Sequence, residues 1–231
     1  TITGCRNDGS IILTTGSRVG GVVGYTRGDV TDCVNNGAVT RTGEAANGGY
    51  AFGGIAGVVR ACTLQGCVNN GTISVAVEVD ETGGTSTGGA GDGSIDVGVD
   101  EGSGENPTHV IYVGGVAGLL ELYSQSTDVR EASFIDCHNR AEVTGNATTN
   151  AGTAYLGGIL GSMLRSSSRN VEIQRCSNTG DLTARADRAS ILGGLVGFQS
   201  VTGDHSQYKM TLSQCYNAGD VTIASSSDGN N

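Results

Sequence analysis

The sequence predicts an all-β chain: a right-handed parallel β-helix, or β-solenoid, of about six coils with a projecting β-hairpin insertion. Three observations carry this reading. The 231 residues include 40 glycines, one proline and no tryptophan, with aromatics at 4%, a composition that disfavours helices. The absence of a Gly-X-Y period excludes collagen, and 37% apolar residues argue against wholesale disorder. Two short motifs also alternate along the whole chain. Cys-x-Asn-x-Gly occurs at Cys5/Asn7/Gly9, Cys33/Asn35/Gly37, Cys67/Asn69/Gly71, Cys176/Asn178/Gly180 and Cys215/Asn217/Gly219, with a copy at Cys137/Asn139/Ala141 that lacks the glycine. Gly-Gly-apolar-apolar-Gly occurs at 20–24, 53–57, 114–118, 157–161 and 193–197.

Cysteine-to-cysteine spacings of 28, 34, 70, 39 and 39 define the unit, with one interval nearly doubled. Three residues before the cysteines stand Ile2, Val30, Leu64, Phe134, Ile173 and Leu212; six residues after them stand Ile11, Val39, Ile73, Val143, Leu182 and Val221. Each unit then reads in order. An alternating stretch such as Val171–Cys176 is a strand with one buried face. Asn-x-Gly is a tight corner, because both residues tolerate the left-handed backbone. A second strand, a loop and a third strand centred on Gly-Gly complete the coil. Stacked coils bury a continuous core that no single coil could bury alone.

The cysteine column reads as reduced thiols serving as small core residues. A linear stack does not suit a tetrahedral zinc site, parallel side chains do not suit disulfides, and seven is an odd number. Cys62 stands outside the column as another strand residue. The asparagine column reads as a hydrogen-bonded ladder running coil to coil.

Residues 1–231 read as one repeat domain, with 80–110 as an acidic, Gly-rich hairpin insertion inside it. The alternating stretches Ile73–Val79 and Ser94–Val99 are the expected hairpin arms, and a degenerate extra coil is the alternative. Seven of the acidic residues fall between Asp80 and Glu105, so of a net charge of −10 the remaining chain carries only −3. Nothing here forms a basic footprint for nucleic acid, and no apolar run is long enough for membrane insertion by this segment. The chain opens without Met, part-way through its first coil, and is expected to be a segment of a longer extracellular protein, flanked by further domains.

Candidate sites are of two kinds. Glu142, Asp181 and Asp220 stack carboxylates on an outer face, a weak candidate for a cation site. The stretches after Gly-Gly-apolar-apolar-Gly hold five and six residues in the early coils (25–29, 58–63), then lengthen to 119–133, 162–172 and 198–211. The long ones carry Tyr123, Arg130, Arg165, Arg169, His205, Tyr208 and Lys209, a basic and aromatic set suited to sugars or anionic partners. Insertions at one corner of a repeat should rise from one side as a contiguous surface. His109, His138 and His205 fall in different coils, and no nucleophile elbow, zinc-helix motif or phosphate loop occurs, so no catalytic residue, resident metal or cofactor is expected.

The pairing of Gly-Gly-apolar-apolar-Gly with Cys-x-Asn-x-Gly-x-apolar resembles the GLUG-motif repeat of large bacterial surface proteins, including Bacteroides-type surface proteins and the amino-terminal regions of IgA-specific metallopeptidases. The resemblance spans the chain except residues 80–110; Ala141 and the missing Gly-Gly copy before Cys5 depart from it. It implies a non-catalytic adhesion, binding or spacer module at the bacterial cell surface or outside the cell, with a host or microbial glycan or protein as partner. The alternative is a carbohydrate-active β-helix enzyme, a polysaccharide lyase or glycoside hydrolase. Such an enzyme would need acid, base and charge-stabilising groups converging on neighbouring coils.

Overall fold

A computed structural model describes residues 1–43, 48–78, 109–122, 131–148, 152–165, 169–186, 189–201 and 209–224. Every element among them is a β-strand, and every strand pairing is parallel and joins equivalent positions of successive coils. The chain is a parallel β-helix.

Each complete coil contributes five strands, not the three expected, one to each of five sheets here lettered A to E. In the third coil these are Thr63–Gln65 (A), Val68–Asn69 (B), Ile73–Glu78 (C), His109–Gly114 (D) and Ala117–Leu122 (E). Sheets A, B and C have six strands; D and E have five, because the described part of the sixth coil ends after its sheet C strand. The repeat register holds throughout, as in the column Ile2, Val30, Leu64, Phe134, Ile173 and Leu212 in sheet A. The cysteine unit and the coil are therefore the same object.

The Gly-Gly pair does not lie in mid-strand. Its first glycine ends the sheet D strand and its second makes the corner into sheet E. A Cβ on that second glycine would strike the motif asparagine of the next coil: for Gly54 it would lie 2.2 Å from Asn69 Cγ and 2.3 Å from the Gly115 carbonyl oxygen. Gly21, Gly115, Gly158 and Gly194 meet Asn35, Asn139, Asn178 and Asn217 in the same way. The D–E corner is thus tucked inward against sheet B.

This contact divides the interior. Instead of one continuous core there are three apolar layers: A packs on E, C packs on D, and the opposite faces of D and E pack on each other. The layer order is A, E, D, C, with sheet B bridging A and C across one end. Burial follows from this order. Ala117–Leu122 and Gly152–Gly157, in the inner sheets, are buried at every position, whereas Ala132–Ile135 and Val143–Thr148, in the outer sheets, alternate. In the D–E layer Tyr112 stacks on Tyr155 with ring centroids 5.4 Å apart, and Tyr155 meets Phe198 at 4.8 Å.

The left-handed residue sits at a different place from the one expected. Asn-x-Gly is not the left-handed step; the residue immediately before each column cysteine is, at Gly4, Asp32, Gly66, Asp136, Arg175 and Gln214, with φ between 51° and 63°. One residue in this conformation breaks the strand alternation, which lets two positions an odd number apart, such as Leu64 and Cys67, both face inward. The motif glycine has another task. A Cβ on Gly71 would lie 2.0 Å from the Gly37 carbonyl oxygen, so this position serves coil-to-coil contact.

All seven cysteines are free thiols. From coil to coil the column thiols donate to carbonyl oxygens, as Cys176 Sγ does to Gln174 and Phe134, each at 3.3 Å. Burial pushes the Cys33 thiol up, and neighbouring thiols together with burial push Cys137 well up, so both stay protonated. Cys62 is buried at the turn into sheet A rather than within a strand.

The first expected hairpin arm is also reassigned. Ile73–Glu78 is a sheet C strand, paired in parallel with Val143–Thr148 on one side and with Val39–Arg41 on the other. Ser94–Val99 and the rest of 79–108 lie outside the described residues.

Gly54→Ala is expected to lower the unfolding free energy by about 3 kcal/mol, since backbone and a ladder side chain both block the added methyl. Gly9→Ala, whose Cβ would meet nothing closer than Asn7 Oδ1 at 3.8 Å, should stay within about 0.5 kcal/mol of wild type in the same urea titration.

Candidate functional site at the loop-bearing edge

The inward D–E corner fixes where the connections emerge. Strand C leaves sheet B, D returns to it, E leaves it again and A returns. The last residues of strands C and E and the first residues of strands D and A therefore lie at the edge opposite sheet B. The long intervals 119–133, 162–172 and 198–211 are part strand: the sheet E strands run on to Leu122, Arg165 and Val201 and the sheet A strands resume at Ala132, Val171 and Met210, so only the residues between them join E to A, and the acidic insertion follows the sheet C strand Ile73–Glu78. The mouth of the D–E layer lies among these strand ends.

The bases of the three long loops are stacked and bonded. Glu131, Asn170 and Lys209 precede the paired strands Ala132–Ile135, Val171–Gln174 and Met210–Ser213. Asn170 Nδ2 donates to Glu131 Oε1 at 2.9 Å, and the Lys209 backbone N–H donates to Asn170 Oδ1 at 3.1 Å. All three side chains are exposed. Of the expected binding residues, Lys209 is thus presented at this edge. Arg169 is not: it is buried where the loop turns back into sheet A, and is corrected from a surface group to an internal one. Arg165 closes the sheet E strand Leu160–Arg165. Tyr123, Arg130, His205 and Tyr208 lie outside the described residues.

Sequence reading missed a charged cluster at the mouth of the D–E layer. Arg60 and Glu121 are register partners in sheet E, and Arg27 follows Thr26, the partner of Val59. Arg27 Nε donates to the Tyr25 hydroxyl at 2.8 Å, and the Arg27 and Arg18 guanidinium carbons lie 5.7 and 5.8 Å from the Tyr25 ring centre. Glu121 is buried, and burial raises its pKa above the ordinary carboxylate range, partly offset by Arg18, Arg60 and Arg27. A second buried cation, Arg41, stacks on Tyr50 at 4.5 Å in the C–D layer, and burial lowers its pKa.

The acidic column is exposed but not convergent. Asp181 Oδ1 accepts the Asp220 backbone N–H at 2.9 Å, and Glu142 Oε1 accepts the Thr144 hydroxyl at 3.3 Å. Among the described residues no three His, Cys, Asp or Glu side chains gather as a metal site. His138 Nδ1 bonds the Ser177 hydroxyl at 2.8 Å. No helix among the described residues is long and apolar enough to cross a membrane.

No family model matches the chain, and no solved structure matches it. A halomucin of Haloquadratum walsbyi (strain DSM 16790 / HBSQ001) is 30% identical over 202 residues, which is 86% of this chain and 2% of the halomucin. The chain therefore spans a small fraction of the relative it matches.

Because the folded protein holds the Glu121 proton more tightly than the unfolded chain does, the stability this group adds is gained as pH falls through its folded pKa and lost as pH rises above it. Glu121→Gln removes that dependence. Urea midpoints taken from about pH 8 to about pH 4 should show wild type gaining on the variant as pH falls, with the variant no less stable at neutral pH.

Proposed function

We propose that this chain is a non-catalytic binding or spacer module of a GLUG-type surface protein, and that its recognition surface is the loop-bearing edge. The observation that carries the reading is the separation of roles around the coil. Sheets A, B and C continue through all six coils, while at one edge Glu131, Asn170 and Lys209, which stand at the bases of successive long loops, are hydrogen-bonded into a line. A regular stack that lines up successive loop bases along one edge suits recognition there. The partner is a glycan or a protein ligand, met by basic and aromatic loop groups. Similarity to a halomucin supports an extracellular or surface setting.

The test is to shorten 202–209, between the sheet E and sheet A strands, to the length of 27–29, which joins the same sheets in the first coil, and compare both proteins on an array of neutral, sialylated and sulfated glycans. Binding seen with the wild type should be lost while the β-sheet circular-dichroism spectrum and melting curve persist. Binding that survives trimming of all three long loops would contradict the reading.

A further inference from the structure

Two asparagines of the sequence open the pattern Asn-x-Ser/Thr, with x other than proline, that glycosyl transfer to asparagine requires: Asn70-Gly71-Thr72 and Asn146-Ala147-Thr148. We infer that Asn70 is an N-glycosylation site and that its glycan stands at the sheet B end of the stack. The inference rests on the extracellular or surface setting proposed above, and not on recognition at the loop-bearing edge.

The ladder asparagines are excluded by their own motif. Two residues after Asn35, Asn69, Asn139 and Asn178 stand Gly37, Gly71, Ala141 and Gly180, none of which has a hydroxyl. Their amides are also buried and spend both Nδ2 hydrogens inside the stack. Asn70 is the residue beside them on the outside of the corner. It lies in the connection between the strands Val68–Asn69 and Ile73–Glu78 and is exposed, as is Thr72. Gly71 between them takes the inward position: a Cβ there would lie 2.0 Å from the Gly37 carbonyl oxygen and 2.9 Å from Asn35 Nδ2. The corner therefore presents the acceptor amide and the hydroxyl that identifies it to solvent, and keeps the spacer against the neighbouring coil.

The folded corner keeps its bonding in the product. Among the described residues Asn70 Nδ2 makes one hydrogen bond, to Asn36 Oδ1 at 2.8 Å. The sugar donor is a lipid-linked sugar phosphate. The bond from Nδ2 to C1 of the sugar forms as the C1–O bond to the phosphate breaks. The bonding pair leaves on the lipid phosphate, Nδ2 gives up one proton, and nothing is oxidised or reduced. Nδ2 retains one N–H, which is the number that its bond to Asn36 needs. The same change at a ladder amide would remove one of its two buried bonds.

Asn146 is placed differently. It sits within the sheet C strand Val143–Thr148, half-buried between its register partners Ala76 and Arg185. A sugar there would lie along the sheet face and cover both neighbours, so Asn70 is the occupied site. Its position also sets where the glycan lies relative to the loops. The B–C corner is at the opposite end of the coil from Glu131, Asn170 and Lys209, so a glycan on Asn70 covers the sheet B end and leaves the loop-bearing edge open.

The test is to secrete this chain from a host whose export pathway carries an asparagine-specific oligosaccharyltransferase, and to map intact glycopeptides by mass spectrometry. A glycan is expected on Asn70. Thr72→Ser should keep it, while Asn70→Gln and Thr72→Ala should each abolish it and leave the β-sheet circular-dichroism spectrum and melting curve in place. Asn70→Gln should also leave any binding at the loop-bearing edge unchanged, which separates this inference from the recognition reading. A secreted chain with Asn70 unmodified, or with the sugar on Asn146 in preference to Asn70, would overturn the inference.

Discussion

A single contact organises the molecule: the buried amide of the motif asparagine lies against a corner that has no side chain. The amide needs its hydrogen bonds once removed from water, and it finds them along the stack: in Asn35, Asn69, Asn139 and Asn178 both Nδ2 hydrogens are used, one on the carbonyl two residues on and the other on the next asparagine. Each such bond contributes about 1 kcal/mol, and leaving one partner unpaired inside costs about 1–3 kcal/mol. The ladder can run through the interior only because Gly-Gly brings the D–E corner up to it without a Cβ. The alternation of the two motifs is therefore one constraint written twice, once for each side of the contact.

The layered interior follows from that contact. Once the D–E corner reaches sheet B, the chain has four sheets to stack rather than a ring to fill, and the two inner sheets must be apolar on both faces. The runs Val110–Val113 and Ala117–Leu120 satisfy this. The same contact leaves the far ends of strands C, D, E and A together at the opposite edge. There, Arg18, Arg27, Arg60 and Glu121 close the D–E layer.

Much of this was legible in the residues. The apolar columns three before and six after each cysteine, the stacked thiols and the asparagine ladder all follow from repetition, because residue identity at every rung reports a fixed geometry. The strand count was not legible, since a Gly-Gly corner buried against another coil has the same local composition as a strand centre. The left-handed step was hidden by its occupants: Arg175 and Gln214 give no conformational signal, and only the odd spacing between two inward columns betrays a break in alternation there. The cluster around Glu121 could not be read because its coil contains the long acidic interval. Only the strand register shows that Glu121 lies beside Arg60. Arg169 was misplaced for a simpler reason: length and charge mark a loop, but not which of its residues turn back into the core.

The most direct measurement is hydrogen exchange of the asparagine side-chain amides, followed by NMR. If the ladder against the Gly-Gly corner holds the fold together, the Nδ2 protons of Asn35, Asn69, Asn139 and Asn178 should exchange only with global unfolding, while those of Asn70, one residue from the ladder and bonded to Asn36 Oδ1 at the exposed surface, exchange far faster. Ladder amides that exchange as fast as Asn70 while the backbone amides of sheets D and E stay protected would contradict the account.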